Sequence, residues 1–158
     1  MLKRLWRRVA GRALGIEIVV SGTSMAPAFS DGDRAIVEPR RYRHGQPARF
    51  DVVVLRPPGG DREDLKRIVG LPGELVEIRD GNLRIDGDLV EEPHIPGPMP
   101  VDWLHAWAPR EDEYIVLGDN RAAPGITDSR RYGPLSRDAI VGPVTRSVPE
   151  NNRGQTKR

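Results

Sequence analysis

The sequence predicts a mainly β domain that begins with one short helix. Its 158 residues include 17 glycines and 15 prolines, and these residues favour short elements joined by tight turns over long helices. Short β-branched runs lie between the turns, and two Asp-Gly dipeptides stand between apolar residues, a pattern typical of β-hairpins. The length suits one domain with a modest core, and no internal repeat is visible.

Composition excludes several kinds of function. Cysteine is absent, which rules out disulfides, thiol catalysis and thiolate metal sites. The formal net charge is only +2 and gives no reason to expect a nucleic-acid partner. The histidines (His44, His94 and His105) have no metal-ligand spacing, and we interpret all three as surface residues. We therefore expect no cofactor and no metal.

The first element in the chain is a basic leader over residues 1–15. Apolar residues recur there at intervals of three and four, and five cations occupy other positions in the first twelve residues. This spacing predicts an amphipathic helix. Such a helix suits an anionic membrane surface, with residues 1–14 in contact, and equally suits packing on its own domain or a partly disordered leader. The apolar run at 18–20 is too short for a transmembrane helix or a secretory signal.

The main predicted domain covers residues 16–149, and its sequence predicts a succession of strands. Strands are expected over 16–20, 35–37, 51–55, 66–69, 75–78, 114–117 and 140–148, the last interrupted by Gly142-Pro143. Asp80-Gly81 and Asp86-Gly87 predict consecutive hairpins. Residues 91–112 contain five prolines and two tryptophans without a clear period, which predicts a long ordered loop or a small insertion. Residues 150–158 form a polar tail.

Ser24 is a candidate nucleophile. Serine catalysis needs a hydroxyl that a base can deprotonate, together with a donor for the oxyanion. Ser24 stands between the first predicted strand and Pro27, and Gly22 allows the backbone to bend or to approach a substrate closely. The same residue types also make ordinary turns, so the local sequence leaves both interpretations open.

Lys66 is a better candidate for the base than any of the three histidines. A lysine acts as a base only when neutral, and burial disfavours its charged form. On a strand, Lys66, Ile68 and Gly70 share one face while Arg67 and Val69 take the other. One of two adjacent cations must therefore point toward the apolar side. The alternative is an edge-strand lysine that keeps its ammonium group in water.

Four motifs in chain order resemble the sequence boxes of the signal peptidase I family. Ser24–Pro27 resembles the nucleophile box, and 50–54 resembles the second, with Phe50 where glycine is usual. Residues 66–74 resemble the lysine box, Lys-Arg followed by two apolar residues and Gly-Leu-Pro-Gly-acidic. The last box is resembled by 118–121 together with 128–134. The resemblance covers about residues 16–146.

This resemblance implies a serine endopeptidase that cleaves N-terminal signal or leader peptides, with Ser24 as nucleophile and Lys66 as base. It also implies antiparallel, partly closed sheets with hairpins, and association with a membrane. The nucleophile loop would include Gly22, Ser24 and Met25, and the Ser24 backbone N–H would donate to the oxyanion. Gly22 stands where some members carry a second, hydroxyl donor. This glycine is usual in the Gram-positive and mitochondrial inner-membrane branches.

The resemblance further implies a polar network that supports the lysine. Its members would be Asp119, Thr127, Asp128, Ser129 and Arg130. Family members usually have a serine that contacts the lysine at the position of Ile126. We expect either that Thr127 supplies this hydroxyl or that the lysine is held differently.

Two other functions fit the same residues. The soluble maturation protease associated with nickel superoxide dismutase has similar boxes without a transmembrane segment, and would act in the cytoplasm. The altered last box also fits a catalytically inactive module that binds a membrane surface. A self-cleaving SOS repressor shares the Ser/Lys pair, but the leader is too short for a helix-turn-helix motif.

Overall fold

The fold consists of two antiparallel β-sheets. A computed structural model describes residues 3–8, 15–97, 99–100, 104–125 and 127–146. The larger sheet has eight strands in the order β1-β2-β3-β12-β4-β5-β10-β11, and the smaller has four in the order β8-β7-β6-β9. The prediction of a mainly β, antiparallel fold with hairpins is confirmed.

The strand and helix bounds are as follows. The strands are β1 (Lys3–Arg8), β2 (Ile16–Val19), β3 (Arg34–Val37), β4 (Val52–Leu55), β5 (Asp64–Gly70), β6 (Val76–Arg79), β7 (Asn82–Ile85), β8 (Asp88–Leu89), β9 (His105–Trp107), β10 (Glu113–Leu117), β11 (Leu135–Ser136) and β12 (Ile140–Arg146). One short helix, α1 (Ser129–Tyr132), and two 3₁₀ turns, Arg41–Arg43 and Arg137–Ala139, complete the described elements.

Strand β5 lies inside the larger sheet, between β4 and β10. Every residue of β5 after Asp64 is buried, because the apolar side chains of its neighbours cover both faces. Strand β10 shows the same two-sided burial. Tyr114 and Val116 belong to one apolar cluster, while Ile115 and Leu117 belong to the cluster that joins the two sheets. Alternation along one strand thus fills two cores.

The two Asp-Gly hairpins form as predicted. Arg79 pairs with Asn82 across the first turn, and Ile85 pairs with Asp88 across the second. Asp80 and Asp86 have φ values of 52° and 51°. Two-residue hairpin turns need such positive values, which aspartate and glycine tolerate better than most residues.

The predicted N-terminal helix is wrong where the structure describes the segment. Lys3–Arg8 forms strand β1, antiparallel to β2, and residues 1–2 and 9–14 lie outside the described residues. A short isolated helix is marginal in water, whereas the free edge of β2 offers backbone hydrogen bonds to an extended partner. Basic residues are also a usual device on edge strands.

Two further predictions need correction or completion. The stretch 91–112 is not all loop, because its residues His105–Trp107 form β9 and pair with β6. Strand β12 continues through Gly142-Pro143, pairing first with β4 and then with β3. The register shifts between Ile140 and Gly142, so the glycine marks a bulge and not an end. The tail 150–158 lies outside the described residues.

Gly142 should be intolerant of a side chain. A Cβ there would lie 2.8 Å from the carbonyl oxygen of Glu38 and 2.9 Å from Cα of Pro39, and backbone cannot move aside cheaply. We expect Gly142→Ala to lower the free energy of unfolding by about 1–3 kcal/mol, measured by urea denaturation. Gly45→Ala is the control, because its nearest contact is at 3.9 Å. Equal stabilities of the two variants would contradict this reading.

Candidate active site

Ser24 and Lys66, which are 42 positions apart, meet in the structure. Ser24 lies in the loop after β2, and Lys66 lies on β5. The Lys66 Nζ donates to the Ser24 Oγ at 3.3 Å. The lysine side chain is only 2% exposed, so the edge-strand alternative does not describe it.

The loop that carries Ser24, residues 21–25, is held by the packing of Met25 and by a hydrogen bond from Gly22. Met25 is 1% exposed and packs in an apolar cluster with Ile18 and Phe29. Gly22 has φ of 94°, and its N–H donates to the Asp31 carboxylate at 2.8 Å. Within the described part of the chain, the Ser24 backbone N–H makes no hydrogen bond. It is therefore available to an oxyanion, while the N–H of Gly22 is not.

Lys66 has a carboxylate neighbour that the sequence reasoning missed. Its Nζ lies 2.7 Å from the Asp64 Oδ2 and also donates to the carbonyl oxygen of Leu65 at 3.1 Å. Asp64 precedes Lys66 by two residues on the same strand, so both side chains project from one face. The two-residue spacing of Asp64 and Lys66 on a predicted strand could have indicated this contact from the sequence.

Arg67 occupies the opposite face of β5 and is paired as well. It donates to both carboxylate oxygens of Asp119, at 2.9 and 2.6 Å, in the two-pronged geometry that suits a guanidinium. It also donates to the carbonyl oxygen of Phe50 at 2.9 Å. Asp119 is fully buried and Arg67 is nearly so. Adjacent cations are thus both buried, one on each side of the strand.

The segment after β10, Gly118–Arg121, contacts the nucleophile loop directly. The Asn120 backbone N–H donates to the Ser24 carbonyl at 3.0 Å, and its side chain donates to the Thr23 carbonyl at 3.3 Å. At Gly118 an added Cβ would lie 2.7 Å from the Ser24 carbonyl oxygen. The glycine is therefore required for this close approach of two backbones.

Asp128, Ser129 and Arg130 support the end of β10. Asp128 caps α1, pairs with Arg130 at 2.6 Å and accepts from the Gly118 N–H at 3.0 Å. Ser129 accepts from the Val116 N–H at 2.9 Å. Among the described contacts none of the three reaches Lys66. Of the three, Asp128 contacts Gly118, which in turn lies against the Ser24 carbonyl.

Thr127 approaches the lysine only through Asp64. Its Oγ1 donates to the Asp64 Oδ2 at 3.4 Å, on the carboxylate oxygen that faces Lys66. Ile126, the position at which the family serine was expected, lies outside the described residues. The described contacts include no hydrogen bond between Thr127 and Lys66, and both expectations for this part of the site stay predictions.

His94 is not the surface residue that was predicted. Its side chain is 16% exposed, and its ring packs against Phe50 with centroids 5.0 Å apart. Burial, followed by the charge of Arg67, lowers the pKa of His94. Next to it, Glu92 pairs with Arg121. His44 is exposed as expected, and His105 stacks on Trp107.

Ser24 and Lys66 line two adjoining cavities. The larger is an open cleft of about 630 Å³ between the nucleophile loop and the connection from Pro57 to Asp64. The smaller, of about 160 Å³, lies toward Asn120 and Thr127. Tyr132 borders the larger cleft, and burial together with the charges of Asp128 and Asp64 raises the pKa of its phenol, so it stays neutral.

Comparisons with known proteins identify the family of this chain. A buried lysine against a serine, in an open cleft on a mainly β scaffold, fits the class of serine peptidases. The family model described as signal peptidase, peptidase S26, matches residues 11–148. The chain belongs to that family and is a serine endopeptidase of the signal peptidase I type, as its motifs predicted.

Individual relatives support the same assignment. Signal peptidase I of Leptolyngbya laminosa is 35% identical, over 90% of this chain and 76% of its own length. Signal peptidase I V of Bacillus subtilis is 33% identical, over 84% of this chain and 85% of its own. A crystal structure of a signal peptidase I from Enterococcus faecalis has a TM-score of 0.56 and 30% identity, covering 63% of this chain and 97% of that one.

The Arg67–Asp119 pair should be costly to break from one side. Asp119→Ala leaves a buried guanidinium without its counter-ion, and we expect a loss of about 3–5 kcal/mol in the free energy of unfolding. The double variant Arg67→Met/Asp119→Leu should recover much of that loss, because no charge remains buried. Thermal and urea unfolding measure both.

Asp61→Ala provides the control for this pair. Asp61 is 92% exposed and lies 3.9 Å from Arg62, so its removal should leave the unfolding midpoint almost unchanged. If Asp119→Ala were as stable as Asp61→Ala, the buried pair would not have the structural role assigned to it.

Proposed function

We propose that this endopeptidase cleaves N-terminal signal or leader peptides from preproteins, with Ser24 as nucleophile and Lys66 as general base. One observation carries the proposal: the Ser24 Oγ and Lys66 Nζ are 3.3 Å apart, on a buried lysine that faces an open cleft. A positioned base within hydrogen-bond reach is what a serine nucleophile requires.

Acylation begins when Lys66 is a neutral amine. The Ser24 Oγ bonds to the scissile carbonyl carbon as its proton passes to the Lys66 Nζ, and the carbonyl oxygen becomes an oxyanion. The Ser24 backbone N–H can donate to this oxyanion. The Gly22 N–H is already engaged with Asp31, so it adds nothing at that point without rearrangement.

Collapse of the tetrahedral species returns the proton. The Lys66 ammonium protonates the departing amine of the mature chain, and the leader stays as an ester on Ser24. Neutral Lys66 then takes a proton from a water molecule that attacks this ester, and the second collapse returns that proton to the Ser24 Oγ. Each step uses the same two side chains, so losing either should stop turnover.

The larger cleft suits an extended peptide. Backbone-rich walls face each other across it, namely the nucleophile loop on one side and the glycine- and proline-rich connection of residues 57–60 on the other. An extended chain can exchange main-chain hydrogen bonds with such walls. We infer that the leader lies along this cleft with its scissile carbonyl at Ser24.

Replacing either member of the pair tests the mechanism. Ser24→Ala removes the nucleophile, and Lys66→Arg keeps a positive charge but cannot become neutral at working pH. We expect each to reduce cleavage of a model preprotein by at least about a thousandfold, measured by mass spectrometry of the products. Ser30→Ala, an exposed serine outside the cleft, should cleave normally.

The folded state of each variant needs a parallel check by thermal unfolding. Substantial cleavage by a folded Ser24→Ala or Lys66→Arg protein would refute the assigned pair. Loss of activity in Ser30→Ala would show that the assay reports something other than this site.

We also propose that the protein works at a membrane. Signal peptidase I enzymes are membrane-associated as a family, and none of the described helices is long and apolar enough to span a bilayer. Five cations in the first twelve residues favour an anionic surface as the partner of residues 1–14, each contributing about 1 kcal/mol near such a surface. Because Lys3–Arg8 forms a strand, the apolar face of a helix no longer supports this membrane contact. The positive charge of the segment is the remaining argument for it.

Vesicle sedimentation tests the membrane contact. The protein should bind vesicles containing phosphatidylserine and detach as salt rises, because surface charges are screened. Changing Lys3, Arg4, Arg7 and Arg8 to glutamine should weaken the binding. Binding that is equal on neutral vesicles, or that ignores these changes, would contradict the proposal.

A further inference from the structure

Asp64 stands at the entrance to the buried lysine. It is the first residue of β5, its side chain is 20% exposed, and Lys66 behind it is 2% exposed. The two carboxylate oxygens have different partners. Oδ1 accepts from the N–H of Leu65 at 2.8 Å, while Oδ2 lies 2.7 Å from the Lys66 Nζ and accepts from Thr127. These contacts fix the carboxylate against the ammonium group.

The Lys66 Nζ has three oxygen atoms within hydrogen-bond distance. They belong to the Ser24 hydroxyl, the Leu65 carbonyl and the Asp64 carboxylate. An ammonium group has three N–H donors and no acceptor, so a charged Lys66 can donate to all three oxygens at once. In this state Ser24 accepts a hydrogen bond from the lysine. Catalysis needs the reverse, with Ser24 donating its proton.

Several other charged groups near the lysine are paired with one another. Asp128 and Arg130 line the smaller cavity and bind each other. On the connection to β5, Glu63 pairs with Arg56. Further charged groups border the cleft or lie behind the strand: Asp61, Arg62, Arg131 and the Arg67–Asp119 pair. Asp64 is the carboxylate in direct contact with the Lys66 Nζ.

We propose that Asp64 is a positioning residue that holds Lys66 as an ammonium in the resting enzyme and thereby sets the pH at which the base becomes available. This inference rests on the proposed Ser24–Lys66 mechanism. As pH rises, the ammonium gives one proton to solvent, and the neutral amine can then accept the proton of Ser24. Removing the carboxylate removes a charge that favours the ammonium, so deprotonation should move to lower pH.

The chain allows this proton to be observed directly. It contains only three lysines, Lys3, Lys66 and Lys157, so protein labelled with ¹³C at the lysine ε carbon gives three NMR signals. The variants Lys3→Arg and Lys157→Arg assign the third signal to Lys66. We expect the pH midpoint of that signal to fall in Asp64→Asn relative to the wild type.

Activity should follow the same shift. On its acid limb, kcat/KM tracks the fraction of neutral lysine. It should therefore rise about tenfold in Asp64→Asn for each pH unit by which the midpoint falls. Asp80→Asn is the matched control, because Asp80 is exposed in the β6–β7 turn and carries the same change of charge. Should Asp64→Asn not fold, Asp64→Ser gives the same comparison.

The outcomes separate the two proposals. A Lys66 midpoint that is the same in Asp64→Asn and the wild type would overturn the role of Asp64, as would a loss of activity at every pH with the midpoint unmoved. An active Lys66→Arg enzyme would instead refute the Ser24–Lys66 mechanism, while the NMR titration would still measure the effect of Asp64. A midpoint and an acid limb that move together to lower pH support the proposal.

Discussion

The burial of two neighbouring cations on opposite faces of strand β5 is the constraint around which the site is built. An unpaired charge in such a place costs several kcal/mol, so each cation needs its own partner. Arg67 takes Asp119 on one face, and Lys66 takes Asp64 and Ser24 on the other. Because a strand alternates its side chains, residues 66 and 67 project from opposite faces of β5 and reach separate partners.

Each pairing brings a different loop to β5. Asp119 belongs to the segment after β10, and its pairing holds that segment in register with the central strand. Asn120 then hydrogen-bonds to the carbonyl of Ser24, and Gly118 lets the two backbones approach. The nucleophile is therefore located partly through the residue next to the base. Asp128 and Ser129 also stabilise this segment, because they accept hydrogen bonds from the backbone N–H groups of Gly118, just after β10, and of Val116 within it.

Local patterns predicted much of this fold, and non-local contacts explain what they missed. β-branched runs and Asp-Gly turns depend on neighbours in sequence, so the strands and hairpins could be found. The pairing of Lys3–Arg8 with β2 depends on an open edge that the sequence does not display, and helical spacing misled the prediction there. The short strand β9 has the same origin, because it forms only on the edge of β6.

The site residues also fall into those that the sequence motifs predicted and those that depend on non-local contacts. Motif order pointed to Ser24 and Lys66, although each residue alone resembled an ordinary turn or strand residue. Asp64 was overlooked because an aspartate at the start of a strand usually marks only the end of a turn. Its pairing with Lys66 becomes important only because Lys66 is buried. His94 was assigned to the surface because it lies in a proline-rich stretch. Its burial against Phe50 joins positions 44 residues apart, beyond the reach of a local pattern.

Phe50 shows how a departure from the family pattern is accommodated near the site. It stands where the resembling sequences usually have glycine, and its φ of 71° lies in the left-handed region that glycine enters freely. A bulky residue there carries a strain of about 1–3 kcal/mol. In this conformation the Phe50 carbonyl accepts from Arg67, its N–H donates to Ile68, and its ring covers His94. The backbone bonds on both sides tie the residue to β5, and the one to Arg67 helps to satisfy the buried guanidinium. The strain at Phe50 is therefore retained by the same buried cation that aligns the rest of the site.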